Sequence, residues 1–242
     1  MVSLTCFNRR FTPKWTMTLL ALLAMLTFSR LGYWQLERAE EKKQILKAEA
    51  KFAKEPPSIW TAEMTMPRQY QRITVEGSYL PQFFLLDNQH HQHQFGFHVF
   101  SPLVLNSGEV VLIDRGWVAG DVTRQTWPKL SIPKGSLRLT GSAYYASNKN
   151  WLLGPSYEQK GKNLTIIEGI DTKLVGQFLH KSIYPFIIRL NKNEAQGYVR
   201  EWAVVSMPAE RHYAYALQWF ALACVILILF IALNLKKNYD KS

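Results

Sequence analysis

Two groups of side chains in this sequence have the types and spacing for coordination chemistry. The first is NQHHQHQFGFH, where His90, His91, His93 and His98 crowd into one short stretch. Neutral imidazoles at this density bind Cu(II) or Zn(II), and His91 and His93 point to one side of an extended chain. The stretch is polar and Gln-rich, however, and it links two strand-like runs. It therefore reads as a solvated loop, and it lacks the Cys or Met of a typical Cu(I) carrier. The second group opens AERHYAYALQWFALA, residues 209–223, where Arg211 and His212 stand before an apolar run and Tyr213, Tyr215, Gln218 and Trp219 line its first turns. Imidazole is a metal ligand and guanidinium a binder of carboxylates. His, Arg, Tyr and Trp also collect at membrane interfaces, because each joins an apolar body to a polar end. On residue types alone, the interfacial reading is the stronger one.

Little else offers chemistry. The sequence has no GxGxxG, Walker loop, CxxC, HExxH or GxSxG, so nothing in it marks a nucleotide site or a known hydrolytic centre. Asp87, Asp114 and Glu168 lie on or beside strand-like runs without the spacing of a catalytic pair, and they read as solvated strand ends and turn caps.

The elements that must position these residues follow from hydropathy. From Tyr213 to Leu233 no residue carries a formal charge; roughly 21 residues at about 1.5 Å each span a hydrocarbon core of about 30 Å. A second apolar run, Trp15 to Phe28, is interrupted by Arg30 before Leu31, Tyr33 and Trp34. It crosses a bilayer if Arg30 snorkels or is paired. No small-x-small cleavage site followed by a polar start comes after it; the chain runs on into the helical pattern QLERAEEKKQILKAEAKFAKE. An uncleaved anchor is expected rather than a signal peptide.

Arg9, Arg10 and Lys14 precede the first apolar run, and Lys236, Lys237 and Lys241 follow the second. By the positive-inside rule both termini face the cytoplasm, and the long intervening region lies outside. The tails and Arg30 hold seven of the 29 Lys and Arg and one of the 18 Asp and Glu, so of the net charge of +11 only about +5 lies outside, and it is dispersed. That distribution argues against a nucleic-acid partner. The two cysteines, Cys6 and Cys224, fall in the tail and the second apolar run. The outer region has no disulfide and must rely on an ordinary hydrophobic core.

That outer region is rich in strand-like runs: QRITVEGSYL, FFLLDNQ, FGFHVFSPLVL, EVVLIDRGWV, SLRLTGSAYY, LTIIEGID, PFIIRL and EWAVVSM. Asn106-Ser107-Gly108 has the residues of a hairpin turn, and DTKLVGQFL those of a short helix capped by Asp171. The fold expected is a membrane protein with two terminal transmembrane helices flanking a mainly antiparallel β domain, barrel- or sandwich-like. Its parts are a cytoplasmic tail 1–14, a transmembrane helix 15–34, a helical stalk and linker 35–68, a periplasmic β-rich domain 69–208, a second transmembrane helix with its outer entrance 209–234, and a tail 235–242.

Taken in order, LGYWQLERAEEK, RITVEGSYL with LLDNQ, GFHVFSPLVL, EVVLIDRGWV, PFIIRL, VREWAV and RHYAYALQWFALA resemble the surfeit locus protein 1 family of cytochrome c oxidase assembly factors. The family often has Asn where Asp114 stands, and its aromatic-rich region is here the plainer KNLTIIEGID. The resemblance implies a non-enzymatic factor in an inner membrane that binds haem a and passes it to the catalytic subunit of the oxidase, working beside the haem a synthesis machinery. In bacterial members the histidine opening the second helix is the proposed haem ligand, which here is His212. Arg211 and Arg30, expected at similar depth, then pair with the haem propionates. A second axial ligand would come from the outer domain, a second copy of the chain or the partner. Two rival readings remain: a scaffold that holds oxidase subunits without haem, and a copper carrier working through His90, His91 and His93. The short leading tail favours a Gram-negative inner membrane with the domain in the periplasm.

Overall fold

A computed structural model describes residues 4–6, 9–146, 157–202 and 204–237. The chain forms two compact units that meet in sequence at Lys47/Ala48 and again at residue 203.

The helical unit is made by α1, Trp15–Lys54, as far as Lys47, and by α3, Ala209–Asn234. Both are long and apolar enough to cross a membrane, and very little of either apolar stretch is buried. Leu19, Leu22, Leu23 and Leu26 on α1 and Leu217, Leu222, Val225 and Ile228 on α3 are all exposed. Both helices thus carry open apolar surface along lengths sufficient to span a bilayer. The helices run antiparallel, because Gln35 meets His212, Phe28 stacks on Trp219, and Phe11 meets Phe230. At the far end the tails pair. The strands β1 (Leu4–Cys6), β2 (Arg9–Phe11) and β12 (Leu235–Lys237) form a small sheet in the order β1-β2-β12. Both described tails therefore lie at the same end of the helix pair.

The sheet unit holds β3 (Ser58–Ile59), β4 (Arg72–Tyr79), β5 (Phe83–His91), β6 (Gln94–Leu105), β7 (Val110–Ala119), β8 (Leu137–Tyr144), β9 (Tyr157–Gln159), β10 (Leu164–Ile167), α2 (Thr172–Leu179) and β11 (Ile183–Leu190). The strands β4-β8-β11-β7-β6 are successive neighbours, and β6 returns to β4 through Gly77↔Leu105, Ser78↔Val104 and Tyr79↔Leu103. The sheet closes into a five-stranded barrel, which removes its edges. Beyond it β5, β10 and β9 extend from β6, and β3 adds to β4. Most ladders are antiparallel, but β3–β4, β5–β10 and β7–β11 are parallel.

Alternation explains which face each strand buries. Ile73 and Val75 of β4, Val111 and Ile113 of β7, and Phe186, Ile188 and Leu190 of β11 fill the barrel together with Trp60. Trp60 lies within the expected linker, so this part of 35–68 packs as part of the barrel. Leu112 and Ile187 point outward and are covered by Val175 of α2. Because β7 is buried on both faces, EVVLIDRGWV reads as a continuous apolar run rather than an alternating one. The Asp171 carboxylate accepts hydrogen bonds from the Lys173 and Leu174 N–H groups and caps α2.

Three expectations are corrected. EWAVVSM forms no strand across its described residues; Val199 just before it makes an isolated bridge to Trp117, and the chain then runs irregularly. The His-rich segment is no long loop but the β5–β6 hairpin, with Gln92 and His93 as its two turn residues at φ 48° and 64°. Such a turn matches the twist of its strands. Asp114 is not a solvated strand end, being 3% exposed on the central strand β7.

The loop after β7 is held by one carboxylate. Asp121 accepts hydrogen bonds from the Thr123 hydroxyl and N–H and from the Thr126 hydroxyl and N–H. These bonds, the Thr123 hydroxyl foremost, draw its carboxyl from the usual 3.8 to about 2. A depressed carboxyl stabilises the fold fully above its unfolded value, and that contribution is lost as pH falls through the folded one. Asp121→Asn should therefore flatten the acid limb of stability between about pH 4 and pH 2. Identical acid unfolding profiles for the two proteins would refute this role.

Candidate functional site

The first turn of α3 carries the histidine. Pro208 precedes the helix at φ −71°, and Ala209, His212 and Ala216 form its buried face there. The facing positions on α1 are Gly32, Gln35 and Ala39, of which Gly32 and Ala39 are fully buried. Small residues on both sides let the helices approach closely. At Gly32 an added Cβ would lie 2.8 Å from the Phe220 ring. One helical turn along, Phe28 stacks on Trp219 with ring centroids 5.7 Å apart. Trp219 is thus a packing residue.

Within this seam the His212 Nδ1–H donates to Gln35 Oε1 at 2.7 Å. In the neutral ring this bond keeps the proton on Nδ1 and leaves Nε2 as a bare lone pair. Nε2 is buried and has no hydrogen-bond partner among the described residues. An unsatisfied buried polar atom costs about 1–3 kcal/mol. The ring is oriented through Nδ1, and Nε2 is the nitrogen that could serve as a metal ligand.

The other residues expected at this site are placed differently. Arg211 follows Glu210 on the exposed side of α3 and makes no ion pair among the described residues. Arg30 reaches Glu37 on its own helix at 3.7 Å, with both side chains more than half exposed. The cation in the first apolar run thus has a partner, but a local one. Tyr213, Tyr215 and Gln218 are exposed on α3. Gln35 was missed by sequence reasoning. Its signal was the spacing Gly32, Gln35, Ala39, a polar residue inside a stripe of small ones at helical intervals.

In the sheet unit the histidines do not converge. His91 lies against Trp117 at 5.1 Å and 3.8 Å from Glu201, and His90 packs on Phe95. Among the described residues no three His, Cys, Asp or Glu side chains gather as a metal site. His98 stands apart: its Nδ1–H donates to Asp114, 3.1 and 3.2 Å from the two carboxylate oxygens, while the Gly116 N–H donates to Oδ1 at 3.1 Å. A register shift in the β6–β7 ladder between His98 and Phe100 turns Asp114 toward the ring.

The profile of the SURF1 family matches residues 22–224, from within α1 to within α3. The chain belongs to the SURF1 family. A SURF1-like protein of Rickettsia felis is 24% identical over 230 residues, covering 87% of this chain and 94% of the relative. A SURF1-like protein of Caenorhabditis elegans is 25% identical over 176 residues, 61% of this chain and 54% of its own length. The cytochrome oxidase assembly protein SHY1 of Saccharomyces cerevisiae is 28% identical over 118 residues, 46% of this chain and 30% of the yeast protein. The matched region of this SURF1-family member runs from one apolar helix through the whole sheet unit into the other.

Proposed function

We propose that this chain is a membrane-anchored assembly factor for cytochrome c oxidase that binds haem a through His212 and aids its insertion into the catalytic subunit. The observation that carries this reading is the buried, unpartnered Nε2 of His212 beside an Nδ1–H already committed to Gln35. Iron is the fitting occupant of such an imidazole nitrogen. Haem is cargo here, and the protein's part is to bind, orient and release it. With His212 in the first turn of α3, the apolar macrocycle has helix surface to lie on and its propionates face the interface. Arg211 and Arg30, both exposed, supply cations for those carboxylates. The basic flanks favour both termini in the cytoplasm and the sheet unit on the periplasmic side of an inner membrane, and pairing of the tails at one end of the helices agrees with termini on one side. The oxidase catalytic subunit and the haem a synthesis machinery are the partners this role requires.

One observation favours a second reading, a haem-free scaffold: Nε2 is buried, so a macrocycle reaches it only after surrounding side chains move. A single experiment separates the two. The protein is purified in detergent from cells that synthesise haem a, beside His212→Ala and an Arg30→Gln/Arg211→Gln double variant. The expected result is bound haem a with its visible spectrum in the wild type, loss of nearly all of it in His212→Ala with the fold intact, and reduced retention in the double variant. Absence of haem from every sample, or equal haem in wild type and His212→Ala, would sink the carrier reading in favour of the scaffold. Unchanged retention in the double variant would remove the arginines alone.

A further inference from the structure

The carrier reading leaves open what prepares the imidazole, and the answer lies on the other helix. Gln35 is the polar side chain that α1 brings to the seam between Gly32 and Ala39, and its Oε1 is 2.7 Å from His212 Nδ1. We infer that Gln35 is a positioning residue: it holds the neutral His212 ring in the tautomer that frees Nε2 for iron, and its uncharged amide keeps that ligand weak enough to release haem. The inference rests on His212 being the haem ligand.

The chemistry of the acceptor decides the second half of this. Histidine ligands to metals donate their other N–H to a carboxylate, a carbonyl or water, and a carboxylate makes the imidazole a stronger donor. A carboxamide accepts the same hydrogen bond without adding negative charge. Carboxylates are close at hand, with Glu37 two residues on and Glu41 bonded to Arg38, yet each is engaged by an arginine. Burial adds force to the choice. In this part-buried seam, a carboxylate in place of the amide would carry a partly desolvated charge toward the ring, pushing electron density through it onto iron and favouring its ferric form. A residue that served only to lock the two helices would have no need to leave Nε2 buried and unsatisfied.

The test uses the full chain in detergent, with histidine ring nitrogens labelled, and compares wild type, Gln35→Leu, Gln35→Glu and His212→Ala. Long-range proton–nitrogen NMR of the haem-free protein reads the tautomer, with the His212 signals identified by their loss in His212→Ala. Haem a content and midpoint potential are then read from protein made in haem a-producing cells. Wild type should show Nδ1–H and bare Nε2. Gln35→Leu should mix the tautomers and weaken haem binding about 10–100-fold. Gln35→Glu should keep the tautomer and shift the midpoint potential downward, a split that a purely structural contact would not produce. An Nε2–H tautomer in wild type, unchanged tautomer and affinity in Gln35→Leu, or a Gln35→Glu protein that matches Gln35→Leu in both readouts would overturn the role of Gln35. Haem retained equally by His212→Ala would instead overturn the ligand reading, and this inference with it, whichever tautomer is found.

Discussion

Replacing Arg115 with alanine is expected to lower the unfolding free energy by about 3–5 kcal/mol. Arg115 is 1% exposed, the largest of the fully buried side chains. Its Nε–H donates to the Gln196 carbonyl at 2.9 Å, and Nη1 donates to the Ser131 carbonyl at 2.8 Å and to Ser101 Oγ at 3.4 Å. The guanidinium lies over the rings of Tyr79 and Tyr198 at 5.4 and 5.0 Å. The same burial pushes the Tyr79 phenol above its ordinary range, since the charged form would be desolvated. Among the described residues no carboxylate faces this cation, so neutral carbonyls and aromatic faces compensate its desolvation. Alanine leaves those acceptors unpaired around a cavity. Lysine keeps the charge but loses the planar fork that reaches carbonyls from two separate segments, and should cost nearly as much. Guanidinium unfolding of the purified chain, followed by tryptophan fluorescence, measures this. A loss below about 1 kcal/mol for alanine would show that the guanidinium is not the anchor of segments 131 and 196.

Gly77→Ala should be of similar size, about 3 kcal/mol, and local in its effect. At the point where β4 meets β6, a Cβ on Gly77 would lie 2.2 Å from the Val104 carbonyl oxygen and 3.2 Å from Leu103 Cγ. The obstacle is backbone, so no rotamer change relieves it. The ladder Gly77↔Leu105, Ser78↔Val104, Tyr79↔Leu103 closes the barrel, and it must part or shift. Hydrogen exchange should rise along residues 77–79 and 103–105 while the β6–β7 ladder remains protected. Unchanged exchange at these residues would show that closure does not depend on the close approach at Gly77.

These two residues mark where reading the sequence runs out. Gly77 in VEGSY looks like an ordinary interruption of a strand pattern, and Arg115 in DRGW looks like a charge at a strand end. Nothing local reveals that one lies beneath a crossing strand and the other inside the barrel. Asp114 was misread for the same reason: its partner His98 lies on the neighbouring strand, and the pairing depends on a register shift. The site was legible in part. His212 could be singled out from its place before an apolar run and from family resemblance, whereas Gln35 is 177 residues away.

The sequence alone determined the features that depend on neighbours along the chain. Two long apolar runs dictate two helices with open faces. Alternating residues dictate most of the strands, Asn106-Ser107-Gly108 a turn where Gly108 takes φ +95°, and Asp171 the cap of α2. Each is set by local sterics, hydrogen bonding and hydropathy, which a window of a few residues contains. Only the tertiary structure decided the closure of β4 on β6, the parallel ladders of β7 with β11 and β5 with β10, and the meeting of Gln35 with His212. Patterns of burial say which face of an element must be covered, but many partners satisfy that demand equally. Register and close approach between distant segments choose among them, and those are properties of the packed chain.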